Sequence, residues 1–233
     1  LVLNVPAYRL DVFEGDERIR SYEVAVGQRG HRTPAGSYAI SRIVWNPWWH
    51  PPASKWARGR KPVPPGPSNP MGRVKLDFRD LYYVHGTPER QSLGQPASHG
   101  CVRMRNEDVI ELARLVHGHA TPDVSEQEIQ LLLERSRRTR AFRLARRVPF
   151  RVVYQVVEVR AGVLQIHPDV YRLAGRTLKE RVIQLLLAEG YQPAELDESR
   201  LQEIVERGVT QPVSVPLDSL LAPSAAQGPW PES

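Results

Sequence analysis

Cys101 is the single cysteine of the chain and stands in the stretch ASHGCVRM, residues 97–104, framed by Ser98, His99, Gly100 and Arg103. A thiol attacks carbon as its thiolate, and an unperturbed cysteine titrates at about 8.5, so a neighbouring base or a positive field must assist it near neutral pH. Two histidines qualify. His99 lies just before the cysteine, and His85 sits in YVHGTP, at the end of a predicted strand. If the connection between them returns on itself, His85 faces the turn that carries Cys101; on spacing alone the two remain level. Gly100 permits backbone angles that a Cβ would resist, the requirement for presenting a nucleophile on a tight turn. Such a turn also aims backbone N–H groups at one point, where each oxyanion donor is worth about 10² to 10³ in rate. Arg103 adds positive charge beside the sulfur or clamps a substrate carboxylate with its planar fork.

Two other readings use the same residues. A zinc site could draw on His85, His99, Cys101 and either His117 or His119, but the spacings match no familiar finger or deaminase pattern. Free cysteine is also among the most buried residue types, and an inert core cysteine is the default where no polar neighbours flank it. The serine, histidine and glycine around Cys101 argue against that default.

The surrounding elements must position this cluster. LVLNVPAYRLDVFEG followed by RIRSYEVAVG reads as two strands with a turn at Glu14, Gly15 and Asp16, and TPAGSYAISRIVW as a further strand. From residue 46 to 72, prolines interleave with Trp48, Trp49 and Trp56, just after Trp45, so regular structure is not expected there. A loop of this length reads as a functional lid or binding loop, or as a surface loop pinned by its tryptophans. NEDVIELARLV is a predicted helix capped by Asn106, with Val109, Ile110, Leu112, Ala113 and Val116 on one face. SEQEIQLLLERSRRTRAFRLARR opens on a capping box, Ser125 and Glu128, and runs into arginines from Arg135 to Arg147. These arginines predict a basic helix, either a solvated face or a surface that docks onto an anion. VPFRVVYQVVEVRAGVLQIHPDVY reads as a hairpin turning at Ala161 and Gly162. Two helices follow, stopped by Gly190 and Gly208, and the Pro-, Ser- and Ala-rich end reads as a mobile tail.

The composition bounds the answer without choosing it. The chain of 233 residues, 41% hydrophobic and 25% charged, is long enough for a core and ordinary for a globular protein. No apolar run spans a bilayer. A single cysteine excludes an internal disulfide. The net charge of +6 favours an anionic partner, yet no nucleic-acid module or aromatic interleaving of the basic run supports DNA or RNA binding. The sequence opens in a strand without an export leader, as a trimmed or mature form does.

HGT followed by SHGCVRM resembles the signature of the L,D-transpeptidases of the YkuD, or ErfK/YbiS/YcfS/YnhG, family, which cross-link bacterial cell walls. LVLNVPAYRLDVF, VAVGQRGHRTPAGSYAI, WNPWW and PPGPSNPMG are similar to the family's pattern in the same order, so the resemblance covers roughly residues 1–118. It implies a mainly β fold, an L,D-transpeptidase-like β-sandwich catalytic domain with a smaller α+β C-terminal module. It also makes Cys101 the acylated nucleophile and His85 its base, with the Gly86 carbonyl orienting the imidazole. His99, Ser98 and Gly100 become oxyanion or orienting neighbours and Arg103 a substrate contact; the length and aromatic content of the proline-rich loop add Trp48 and Trp49 as substrate contacts covering the donor stem. The stretch after residue 145 resembles the C-terminal module of the Gram-negative branch, which gives His167 a structural role. The expected layout is a catalytic domain over 1–118, an arginine-rich helical insertion or linker over 119–147, the small module over 148–211 and the tail over 212–233.

The implied reaction is acyl transfer on peptidoglycan stem peptides through a Cys101 thioester, with D-alanine leaving, without metal or organic cofactor. The acceptor is another stem or an outer-membrane lipoprotein, the location periplasm or cell wall, and carbapenems are the expected inhibitors. With water as acceptor the same site is an L,D-carboxypeptidase. A non-catalytic wall-binding module is the remaining alternative.

Overall fold

The computed structural model describes residues 1–121, 123–174 and 178–222. The chain divides into two compact units, Leu1–Tyr154 and Gln155–Ser233. The first contains β1 (Val2–Asn4), β2 (Arg9–Glu14), β3 (Glu17–Glu23), β4 (Val26–Gly27), β5 (Gly36–Trp45), β6 (Val74–Arg79), β7 (Tyr82–Gly86), β8 (Pro96–Ser98), β9 (Val102–Met104), α1 (Asn106–Ala120), α2 (Glu126–Glu134) and β10 (Arg140–Val153). Among the described residues eight of these strands form one sheet in the order β3-β2-β1-β10-β5-β6-β7-β9, and β4 pairs with β8. The architecture is mainly β, as expected.

The predicted hairpin turns at Gly15, whose φ of 59° lies in the region glycine tolerates, and Glu14 pairs with Glu17. The single strand expected over residues 1–15 is instead two. Pro6 cannot donate to a ladder and Tyr8 has a φ of 48°, so the chain folds back and β1 pairs antiparallel with β2.

Helix α1 buries Val109, Leu112, Ala113, Val116, His117 and Ala120, the spacing that faces a sheet. Asn106 does not cap it. Its Oδ1 accepts from the Arg73 N–H at 2.8 Å and its Nδ2 donates to the Thr87 carbonyl at 3.3 Å, fastening the end of the proline-rich loop beside the His85 strand. Cβ atoms on Gly72 or Gly86 would collide with the same Oδ1, so both glycines are needed for that closure.

The largest departure concerns the arginines. The Ser125 hydroxyl caps α2 as expected, accepting from the Glu128 N–H at 3.2 Å, but the helix ends at Glu134. The chain then returns as β10, parallel to β1 and antiparallel to β5. The strand alternates: Leu144, Phe150 and Val152 are buried while Arg143, Arg147 and Arg151 are exposed, with a bulge between Arg143 and Val148. The arginines are the wet side of a central strand, and the first unit runs on to Tyr154 instead of stopping at 118.

The second unit has β11 (Val157–Arg160), β12 (Val163–Ile166), α3 (Leu178–Ala188), α4 (Glu198–Thr210) and β13 (Val213–Pro216), with sheet order β11-β12-β13. Ala161 and Gly162 form the expected turn, but the run before it, through Val153, belongs to β10. Gly190, at a φ of 96°, ends α3 with the Tyr191 N–H on the Leu186 carbonyl at 3.0 Å. Gly208 does not stop α4; it lets the helix approach Ile166, whose Cγ2 would lie 2.7 Å from an added Cβ. Residues 213–216 are a strand rather than the start of a tail, and the tail expected beyond 222 lies outside the described residues. His167 hydrogen-bonds Glu158 at 2.7 Å within this unit.

Candidate active site

The sheet's register brings the two candidates of the sequence together. Strands β7 and β9 are parallel, with Val84 opposite Val102 and His85 opposite Arg103, so Cys101, immediately before β9, lies beside Tyr83 and diagonal to His85. Because side chains alternate across a strand, the odd-numbered residues share one face. Val84, Val102 and Met104 fall on the other face, fully buried. The outer edge of β9 is closed by reciprocal hydrogen bonds between Ala25 and Arg103, both at 2.9 Å.

His85 is 5% exposed, and its Nδ1 lies 2.7 Å from the Gly86 carbonyl. A carbonyl only accepts, so Nδ1 carries the proton and Nε2 keeps its lone pair. Burial pushes the imidazole down to about 4; the Gly86 bond opposes this, while Arg103 and Lys75 add to it. The ring is therefore neutral near pH 7.

Cys101 is half-buried and its Sγ donates to the Leu81 carbonyl at 3.6 Å. Burial pushes the thiol up to about 11, opposed by a hydrogen bond from the Tyr83 backbone and by the charges of Lys75 and Arg103. The resting pair is thus a thiol and a neutral imidazole rather than an ion pair.

The turn before Cys101 is held from both sides. The Ser98 hydroxyl donates to the Cys101 carbonyl at 2.5 Å and accepts from the Gly100 N–H at 3.0 Å. The buried Thr33 hydroxyl donates to the Gly100 carbonyl at 3.0 Å. Gly100 itself has a φ of 112°, and an added Cβ would sit 2.7 Å from the Tyr82 ring. Its N–H is committed to Ser98 and is not free for an oxyanion. No turn, loop or side-chain hydrogen bond among the described residues uses the Cys101 N–H, so that group is the available donor next to the sulfur.

His99 is exposed and sits in a stack. Trp56 lies 4.0 Å from it at 16°, His31 is 4.8 Å away, and Arg60 lies over the Trp56 ring at 5.7 Å. Its imidazole is held below the ordinary histidine range, first by burial and then by His31, Arg103 and Arg60. Arg103 is tied to Glu89 at 2.8 Å.

The long loop reaches this region through Trp56 rather than through Trp48 and Trp49, the expected substrate contacts. Trp48 stacks on His50 at 6.1 Å, and Trp49 forms a two-hydrogen-bond bridge with Val63. The Asn69 side chain secures the loop by donating to the carbonyls of Pro47, Val63 and Pro64. The sequence marks Trp56 only as one of the loop tryptophans and gives no signal for Thr33; only the alternation of β6 and β7 around His85 marks Tyr83, Lys75 and Asp77.

His117, weighed as a zinc ligand, has both nitrogens engaged: Trp45 Nε1 donates to its Nε2 at 3.0 Å, and its Nδ1 meets the Thr121 hydroxyl at 2.6 Å.

Comparison with known proteins supplies the family. The model of the YkuD L,D-transpeptidase catalytic domain matches residues 1–143, and the chain belongs to that family. It is 36% identical over 118 residues to the probable L,D-transpeptidase YbiS of Escherichia coli K12, covering 47% of this chain and 39% of that protein. It is 34% identical over 118 residues to the probable L,D-transpeptidase ErfK/SrfK of Salmonella typhimurium, covering 47% of this chain and 38% of the relative. The match thus spans well under half the length of these relatives. A solved L,D-transpeptidase from Mycobacterium smegmatis aligns over 65% of this chain and 57% of its own, with 14% identity and a TM-score of 0.44. Among the described residues no helix is long and apolar enough to cross a membrane.

Proposed function

We propose that this chain is a cysteine-dependent L,D-transpeptidase acting on peptidoglycan stem peptides, with Cys101 as nucleophile and His85 as base. The observation that carries the reading is the tautomer of His85, fixed by the Gly86 carbonyl so that its basic nitrogen is Nε2, on the strand beside the lone thiol. When a stem peptide binds, the sulfur leaves the Leu81 carbonyl and gives its proton to His85 Nε2 as it attacks the carbonyl of the third residue. The Cys101 N–H, and the Tyr83 backbone at the sulfur, stabilise the charge that develops. The C–N bond to D-alanine breaks, and the leaving amine takes the proton from the imidazolium. In the second half an acceptor amine attacks the thioester, giving its proton through His85 while the C–S bond breaks and the thiol is restored. Proton transfer of this kind typically supplies about 10² to 10⁴ in rate.

The neutral pair fits this order of events, because the proton moves during attack rather than before it. Trp56, stacked on His99 two residues before the sulfur, is positioned to keep water from the thioester. The substrate places the chain outside the cytoplasm, in the periplasm or wall, and the net charge of +6 suits a carboxylate-bearing polymer.

The test is a single covalent carbapenem adduct, seen by intact mass, that disappears in Cys101→Ala and forms far more slowly in His85→Gln. No adduct on the wild-type protein overturns the catalytic reading in favour of a wall-binding module. Digestion of treated peptidoglycan then reads the acceptor: new cross-links for a stem, a coupled lipoprotein for a protein amine, shortened stems for water.

A further inference from the structure

Strand β6 lies behind the His85 strand and places two charged side chains on the face that carries Cys101. Asp77 is opposite Tyr83 and Lys75 is opposite His85. Their geometry is specific. Lys75 Nζ sits 3.9 Å from the centroid of the Tyr83 ring, the residue beside Cys101, and 3.5 Å from Asp77 Oδ1. Asp77 Oδ2 accepts from Arg42 Nε at 2.7 Å, while Oδ1 is buried with no hydrogen bond. One carboxylate is therefore shared by two cations. The Lys75 and Asp77 side chains are 14% and 15% exposed, whereas Arg42 is half in solvent at 46%. An ammonium taken this far out of water with half a partner is costly, and the Cys101 sulfur lies beside the tyrosine over which it sits.

We propose that Lys75 is an electrostatic partner of the nucleophile: its ammonium, held over the Tyr83 ring by Asp77, favours the Cys101 thiolate, and Arg42 offsets Asp77 so that the net field at the sulfur is positive. The proposal rests on Cys101 being the nucleophile. The charged and titratable groups facing the sulfur are Lys75 and Asp77 from β6, Tyr83 and His85 from β7, and Arg103 from β9, with His99 preceding it. Of these, His85 is neutral, Arg103 is compensated by Glu89, and His99 is occupied by Trp56. Lys75 is left as the cation with an uncompensated share of charge. The directions agree: Lys75 and Arg103 pull the thiol down against its burial, and Asp77 pushes it up.

Alkylation by iodoacetamide, followed by intact mass as a function of pH, reads the thiol without requiring peptide turnover. A thiolate that merely alkylates normally in wild type while cross-linking fails would count against the transpeptidase reading, not against this one. Lys75→Met is expected to raise the midpoint of the alkylation profile by about one unit, the scale of a nearby opposite charge. Below both midpoints that slows alkylation by about three- to tenfold, since a more basic thiolate is also a better nucleophile. Lys75→Arg restores most of the rate. Asp77→Asn moves the midpoint down and Arg42→Gln moves it up, by less than Lys75→Met. A Lys75→Met profile that superposes on wild type, with an unchanged thermal melt, overturns the proposal. Should Lys75→Met fail to fold, Lys75→Gln, which keeps a polar side chain beside Asp77 without the charge, decides instead: a midpoint that stays put overturns it, and one that rises supports it.

Discussion

The clearest energetic consequence of the fold concerns His117, on the face of α1 that meets the sheet. The ring is 1% exposed, stacked against Trp45 at 6.1 Å and edge-on to Phe142 at 5.1 Å. Its Nε2 accepts from the Trp45 indole N–H, so charging the imidazole would set two donors against each other in a site closed to bulk solvent. Burial pushes it down to about 4 from an unfolded value of 6.5. Folding lowers the pKa of this base, so between those values the unfolded chain binds more protons than the folded one. The contribution is fully present above 6.5 and is lost as pH falls through about 4. Between pH 7.5 and pH 4.5 the linkage integral, RT ln[(1 + 10²)/(1 + 10⁻⁰·⁵)], is about 2.5 kcal/mol for a value of 4. Urea denaturation at the two pH values, in wild type and in His117→Gln, measures it. Glutamine can still accept from Trp45 but does not titrate, so the variant should be less stable at pH 7.5 and yet lose about 2.5 kcal/mol less than wild type on acidification. His85, also held near 4, keeps its share in both proteins and cancels. Equal losses in the two proteins would refute the claim that His117 folds as a buried neutral base.

Other predictions bear on the site. Gly100→Ala must accept a φ of 112° and a Cβ 2.7 Å from Tyr82, so it should lose about 1 to 3 kcal/mol in a urea melt and slow carbapenem acylation; adding Tyr82→Ala should relieve the clash but not the backbone strain. Ser98→Ala leaves the Gly100 N–H without its acceptor and frees the Cys101 carbonyl, which should cost about 1 to 3 kcal/mol and lower the acylation rate in a mass-based time course. Trp56→Ala removes the 4.0 Å stack on His99 and should raise thioester hydrolysis relative to transfer, read as shortened stems against cross-links, whereas Trp48→Ala, whose ring lies with His50, should leave that ratio nearly unchanged.

Local signals in the sequence survive where a short pattern decides the structure. The turn at Gly15, the apolar face of α1, the Ser125 cap and the Ala161–Gly162 hairpin are each set by a few neighbouring residues. Where the outcome depends on a distant partner, the pattern misleads. The stretch from Arg135 to Arg147 follows a capped helix and is rich in a good helix former, yet β10 is fixed by pairing with β1 and β5, elements more than ninety residues away along the chain. Its strand alternation is blurred by the bulge after Arg143, which places four residues against one and shifts the phase of the pattern. Gly208 is legible as a glycine but not as a point of close approach, because Ile166 enters only through the packed unit.

The site divides along the same line. Cys101, His85 and Gly86 were named from contiguous motifs, and the register of β7 and β9 supplies the proximity that the motifs presuppose. Lys75 and Asp77 carry no motif at all; they act on the same sulfur only because an antiparallel register sets them opposite His85 and Tyr83. A shift of that register by one residue would turn both charges into the face that holds Leu76 and Val74, where neither has room or water. The buried apolar face therefore selects the register, and the register in turn selects which charges the thiol feels. In this chain the core and the electrostatics of the Cys101 thiol are set by the same pairing, so a substitution such as Leu76→Ala, remote from the sulfur and on the opposite face, should loosen the alkylation profile of Cys101 as well as the melt.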